Sequence, residues 1–181
     1  NMDTTGSMSG QIEGLQSSLS TSIIPALESR LDDAAYAVTH FEDFPCNGHG
    51  NAGDAPFKLL QRVTTNAEDA QEAVDALPLN NGGDTPEAGV ESLFQIATGA
   101  GTDDCGFGLV SPFDPLQNLR SGEAEGTLGG VGFRNGSVPI VIHITDNATH
   151  ARGEATPDGL SYAYGATREE MFEAVDERGM R

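Results

Sequence analysis

Between residues 8 and about 31, Ile12, Leu15, Leu19, Ile23, Leu27 and Leu31 recur every three or four positions. That spacing gives one apolar stripe and predicts an amphipathic helix. Pro25 lies inside it and should kink or interrupt it. Residues 34–41 read as a strand, 45–56 as a loop rich in Gly and Asn, and 57–63 as a second strand paired with the first as a hairpin. Asn66 caps a short helix with Glu68 and Asp69 in its first turn and Ala70, Val74 and Leu77 facing inward. After a turn-rich stretch, Thr85-Pro86 opens the next helix with proline at its first position, and Val90, Leu93, Phe94 and Ala97 are its apolar residues. Residues 99–137 form a long, Gly-rich irregular region, of the kind that is functional or inserted. The near-continuous apolar run at 138–145 suits a buried parallel strand. Thr167 caps a last helix, and Glu170 completes a capping box. Strands alternating with helices indicate an α/β sheet with parallel strands.

Composition narrows the function. The 181 residues suit one domain, and no internal repeat is visible. The net charge is −19, from 28 acidic and 9 basic residues, so a basic groove for nucleic acid is excluded. Lys58 is the sole lysine. An acidic, lysine-poor surface fits a secreted protein, a salt-adapted one, or one that meets calcium. No run reaches the ~18 apolar residues of a membrane span, so direct insertion by this segment is not expected. Cys46 and Cys105 lack the spacing of a metal site and sit in polar loops, which leaves a disulfide or two free thiols.

The chemistry concentrates in three places. Asp3-Thr4-Thr5-Gly6-Ser7-Met8 sets Asp3, Thr5 and Ser7 at alternate positions, where an extended chain projects them the same way. Asp84-Thr85-Pro86-Glu87 adds a hydroxyl and two acids at a loop-to-helix junction. Ile144-Thr145-Asp146 ends the apolar strand with a carboxylate at its C-terminal tip, where open α/β sheets bind ligands. The donors are all hard oxygen, which suits Mg²⁺, Mn²⁺ or Ca²⁺ rather than zinc. Taken singly, each piece has a plain structural reading: Asp-x-Thr-x-Ser as a helix cap, Thr85-Pro86 as a helix start, Asp146 as a strand-end acid.

Together and in this order they resemble the von Willebrand factor A-like fold and its metal-ion-dependent adhesion site. The matching segments are Asp3 to Met8, Gly82-Gly83-Asp84-Thr85-Pro86-Glu87, and Ile142-His143-Ile144-Thr145-Asp146 with Asn147-Ala148-Thr149-His150. The last two also resemble the I-like domain of integrin beta chains. The resemblance implies an open, doubly wound, mostly parallel sheet flanked by helices, Rossmann-like in plan. It implies that Asp3, Thr5 and Ser7 form a first metal loop, Thr85 a second and Asp146 a third. In the integrin variant the ligand is the acid at Glu87, so Thr85 and Glu87 both stand as candidates. Paired acids for an adjacent calcium are missing near Ser9, Gly10 and Gln11.

The function implied is divalent-metal-dependent binding or adhesion, in which the ion grips an acidic side chain of a protein partner outside the cell or at its surface. The alternative is an intracellular A-like domain serving an ATPase or chelatase-type machine. Catalysis is not expected: no Gly-x-Ser-x-Gly, phosphate-loop or His-Glu-x-x-His pattern occurs. His143, inside the apolar run, reads as a satisfied core histidine; His150 either lines the site or is a loop residue. The motif normally hangs from a strand, and only Asn1 and Met2 precede it. The expectation is a single A-like domain over 1–181, with 99–137 inserted, excerpted from a longer chain without its first and last strands.

Overall fold

A computed structural model describes residues 1–80, 82–106, 108–117, 126–155 and 161–181. Part of the irregular 99–137 region, at 107 and 118–125, lies outside them. The architecture is mixed α/β, built on a small mixed sheet.

Strand β1 (Met2–Asp3) pairs in parallel with β2 (Tyr36–Phe41), Asp3 beside Phe41. Strand β3 (Lys58–Thr64) runs antiparallel to β2, with two register shifts between Tyr36 and Thr39. This is the hairpin pairing expected from the two apolar runs, and Met2–Asp3 itself supplies the strand from which the oxygen motif hangs.

Period-two alternation sends successive side chains to opposite faces. On one face Met2, Val38 and Leu60 meet Met8, Ile12 and Val74 from helical segments and Leu77 from the chain that follows. On the other, Ala37, Leu59 and Val63 meet Ile96, Ala97 and the buried Val110, Val131 and Phe133. The Gly-rich region therefore contributes to the core although it forms no helix or regular strand among its described residues. Each fully buried Val, Ile or Phe there contributes about 1.5–3 kcal/mol.

The first helix is interrupted as Pro25 demands. After a 3-10 turn (Gly6–Met8), α1 (Ser9–Ser18) passes into a π segment (Leu19–Ile23) and then α2 (Ile24–Glu28). Proline lacks an N–H and its ring crowds the carbonyl of the preceding turn, so the helix widens there. Helix α3 (Ala67–Asp75) is capped by Asn66, whose side chain accepts from the Glu68 N–H. Helix α5 (Arg168–Arg178) starts in a capping box of Thr167 and Glu170.

Two expectations need correction. Helix α4 (Gly89–Thr98) begins later than Thr85-Pro86. The Glu87 backbone is engaged by a distant segment: its N–H donates to the Ala148 carbonyl (3.0 Å), and its carbonyl accepts from the His150 N–H (2.8 Å). Residues so held bridge as in a sheet, and the Thr85–Pro86 peptide is cis. The run at 138–145 is extended and parallel to β1 through a Met2–Ile144 bridge, but it is not buried on both faces. Val138, Ile140 and Ile142 are 71, 65 and 63 % exposed, while the alternate residues Pro139, Val141 and His143 turn inward. Among the described residues nothing covers the outer face. Its other edge meets the chain at Arg181, whose N–H donates to the Pro139 carbonyl (2.9 Å).

Candidate metal centre

The site lies at the end of β1. Parallel pairing puts Asp3 next to Thr145, since the Asp3 N–H donates to the Ile144 carbonyl (2.9 Å). Asp3 is fully buried. Its Oδ1 accepts from the Thr5 N–H (2.9 Å) and the Thr5 hydroxyl (2.7 Å), and its Oδ2 accepts from the Thr145 hydroxyl (2.7 Å). The Ser7 hydroxyl donates to Asp146 Oδ1 (3.0 Å). Neither Thr5 nor Met8 caps the helical turn that follows it with its side chain. The plain capping reading of Asp-x-Thr-x-Ser thus fails: the hydroxyls turn to carboxylates instead.

Of the two candidates at the second segment, Glu87 reaches this group. It is 2 % exposed, close to Asp3 and Thr5, and its Oε1 accepts from Asn147 Nδ2 (3.4 Å). Thr85 has an exposed side chain. Asp146 is exposed at the rim while Asp3 is not, so the group opens to solvent on the Ser7–Asp146 side.

Asp43, which sequence reasoning missed, lies beside Glu87. It is fully buried, and neither of its oxygens meets a donor; Glu87 Oε2 has none either. A shared proton is the one bond these two carboxyls can make with each other. Burial, then the charges of Asp3 and Asp84, push Glu87 up to about 7 against the relief from Asp43 and Thr5. Burial first, then the charges of Glu87, Asp84 and Asp54, raise Asp43 far above the carboxylate range. Buried carboxyl oxygens that meet no donor are what a hard divalent cation would satisfy once it displaced the proton, and the all-oxygen donors here suit one. A weak signal for Asp43 existed: Glu42 and Asp43 stand between Phe41 and Phe44, both wholly buried, so the acids cannot both reach water.

Glu42 shows the opposite solution. Burial would raise it, but contacts from His40 and Asn80 and the charge of Lys58 prevail and hold it at about 2. The chain's sole lysine stands 3.8 Å away. His143 is a satisfied core histidine as expected: its Nδ1 lies 2.9 Å from Asn1 Nδ2, its ring stacks on Phe41, and burial lowers its pKa to about 4. His150 faces Asp84 instead of the oxygen group. Cys46 and Cys105 form a disulfide, with 5.7 Å between their Cα atoms.

No protein-family model matches the chain, and no curated protein matches it.

Proposed function

We propose that this chain is a von Willebrand factor A-like domain that binds a protein partner through a divalent ion. Asp3, Thr5, Ser7, Glu87 and Asp146 would hold Mg²⁺, with Mn²⁺ or Ca²⁺ as substitutes. When bound, the ion supplies an electrophilic centre for an acidic side chain of the partner. Asp3 orients Thr5, Ser7 orients Asp146, and Glu87 brings the buried charge. The observation that carries the reading is the meeting of three segments far apart in sequence through Thr145–Asp3, Ser7–Asp146 and Asn147–Glu87 hydrogen bonds. Ser7 and Asp146 are exposed, so a coordination position left open on their side would admit an external carboxylate from solvent. The doubly wound sheet belongs to the same proposal and is supported by the parallel run of 142–144 beside β1. The Cys46–Cys105 disulfide favours an extracellular or cell-surface setting over an intracellular assembly role.

The test is selection of a displayed peptide library on the immobilised chain in Mg²⁺ and in chelator. Acidic peptides should be enriched in Mg²⁺ alone, and Asp146→Ala should abolish the enrichment. Enrichment unchanged by chelator and by Asp146→Ala would put partner binding on another surface.

A further inference from the structure

A second group of ligating side chains lies beside this centre and shares none of its proposed ligands. His49, on the loop after β2, places Nδ1 2.9 Å from Asp84 Oδ2. His150, on the segment beyond Ile144, places Nε2 3.3 Å from Asp84 Oδ1. One ligand atom from each of the three residues lies within 4.8 Å of the others. We propose that His49, Asp84 and His150 form a binding site for a borderline divalent ion of the zinc class.

The donor chemistry separates this site from its neighbour. Two imidazole nitrogens and one carboxylate suit Zn²⁺, whereas Mg²⁺ and Ca²⁺ take oxygen. Two donors bound tetrahedrally to one zinc stand about 3.3 Å apart, as bonds of 2.0–2.2 Å require. The two nitrogens meet different oxygens of Asp84, at 2.9 and 3.3 Å, and with all three ligand atoms inside 4.8 Å the side chains need to close on one centre to hold an ion. Three protein ligands leave a fourth position for water or an incoming group.

The three ligands are fixed before any ion arrives. The Asp84 N–H donates to the His49 carbonyl (2.8 Å), and the His49 N–H donates to the Cys46 carbonyl (3.2 Å), next to the disulfide. A Cβ on Gly83 would fall 2.2 Å from the His49 carbonyl oxygen, so the approach of the two loops requires glycine there. The His150 ring stacks on Tyr162 at 4.0 Å and 5°, and Tyr162 meets His49 edge-on at 4.7 Å. The histidines are 15 and 4 % exposed and Asp84 is 28 %, which leaves a way in from solvent past the carboxylate. An ion here would clamp together the loop after β2, the junction before α4 and the segment after Ile144. Those segments also carry Asp43, Glu87 and Asp146.

The experiment titrates metal-free chain with Zn²⁺ alone against a chromophoric chelator, and in parallel with Mn²⁺ by electron paramagnetic resonance. Wild type should bind one Zn²⁺ here and melt at a higher temperature with it. His49→Gln and His150→Gln should each weaken Zn²⁺ on the order of 100-fold, since even residues behind the ligands cost 10–100-fold. Both variants should keep Mn²⁺ binding, which also shows that they fold. Asp146→Ala should do the reverse, losing Mn²⁺ and keeping Zn²⁺, so failure of one site is distinguishable from failure of the other. X-ray absorption of the zinc form should report two imidazoles. Zn²⁺ affinity unchanged in both histidine variants, or Zn²⁺ lost with Asp146→Ala, would overturn the proposal, as would a wild type that binds no Zn²⁺.

Discussion

Glu87→Gln removes one buried negative charge and keeps the side chain's shape. In wild type the protonated form of Glu87 is favoured by the fold, because its pKa is about 7 there against an ordinary 4.5. The sign follows from linkage: the contribution is fully present below pH 4.5 and is lost as pH rises through about 7. With no cation bound, the cost of ionising Glu87 by pH 8 is about 3 kcal/mol, and by pH 5 less than about 1 kcal/mol. Glu87 is almost wholly buried, so solvent screening does not reduce this much. Glutamine does not ionise. In chelator at pH 8 the variant should therefore outlast wild type by about 3 kcal/mol, or on the order of 5–10 °C in melting temperature for a chain of this size. At pH 5 the difference should nearly vanish.

Metal reverses the ranking. Saturating Mg²⁺ or Mn²⁺ should raise the melting temperature of wild type at pH 8 and raise that of Glu87→Gln much less, because the variant has lost a charged ligand. The assay is a set of melts by circular dichroism at pH 5 and pH 8, in chelator and in Mg²⁺. A variant no more stable than wild type in chelator at pH 8, with an undiminished Mg²⁺ increment, would refute the idea that Glu87 is held for a cation.

Thr85→Ala should leave Mn²⁺ affinity nearly unchanged while Glu87→Ala lowers it at least tenfold; calorimetric titration decides, and the opposite ranking would make Thr85 the ligand. Asp146→Ala, at an exposed position, should change stability by no more than about 0.5 kcal/mol while removing metal-dependent binding. Asp3→Ala should also remove binding but cost on the order of 2–3 kcal/mol in denaturant titrations, because Asp3 is buried and accepts three hydrogen bonds. Cys46→Ser with Cys105→Ser should lower stability by up to about 4 kcal/mol, since the bond closes a loop over a separation of 59 residues.

What could be read from the sequence was local. The apolar stripe from Ile12, the Asn66 cap and the Thr167–Glu170 capping box depend on neighbours a few residues away, and the hairpin pair on two adjacent apolar runs; the structure has them, except that the helix ends at Glu28 and leaves Leu31, the expected last member of the stripe, 47 % exposed. The alternation of Asp3, Thr5 and Ser7 is also a local pattern, but the chain is not extended throughout: Ser7 stands in the 3-10 turn, exposed, while Asp3 and Thr5 are buried. What could not be read was set by distant partners. The α4 start moved because residues 148 and 150 recruit the Glu87 backbone. An apolar run such as 138–145 does not tell which of its faces a neighbour covers, and Val138, Ile140 and Ile142 are exposed. Nor did the motif tell that Asp3 would be completely buried. His49 and Asp84 are separated by 35 positions and Asp84 and His150 by 66, so no spacing rule joins them.

The charge distribution links these observations. Among the described residues most basic side chains are committed away from the oxygen group: Lys58 to Glu42, Arg134 to Asp33, Arg152 to Glu170, Arg168 to Glu154, and Arg62, Arg178 and Arg181 to backbone carbonyls. No lysine or arginine among them bonds Asp3, Asp43, Glu87 or Asp146. A buried carboxylate with neither a cationic partner nor enough hydrogen-bond donors must take up a proton or meet an added cation. Glu42, with Lys58 beside it and hydrogen bonds from Thr4, Asn80 and the Ala55 N–H, stays ionised at low pH; Asp43, whose oxygens meet no donor, and Glu87, which has Thr5 and Asn147 but no cation, hold protons far higher. Protons and divalent ions should therefore compete for the same oxygens. Metal affinity at this end of the sheet should rise with pH across the range in which Glu87 titrates, and ion binding should release protons to the buffer.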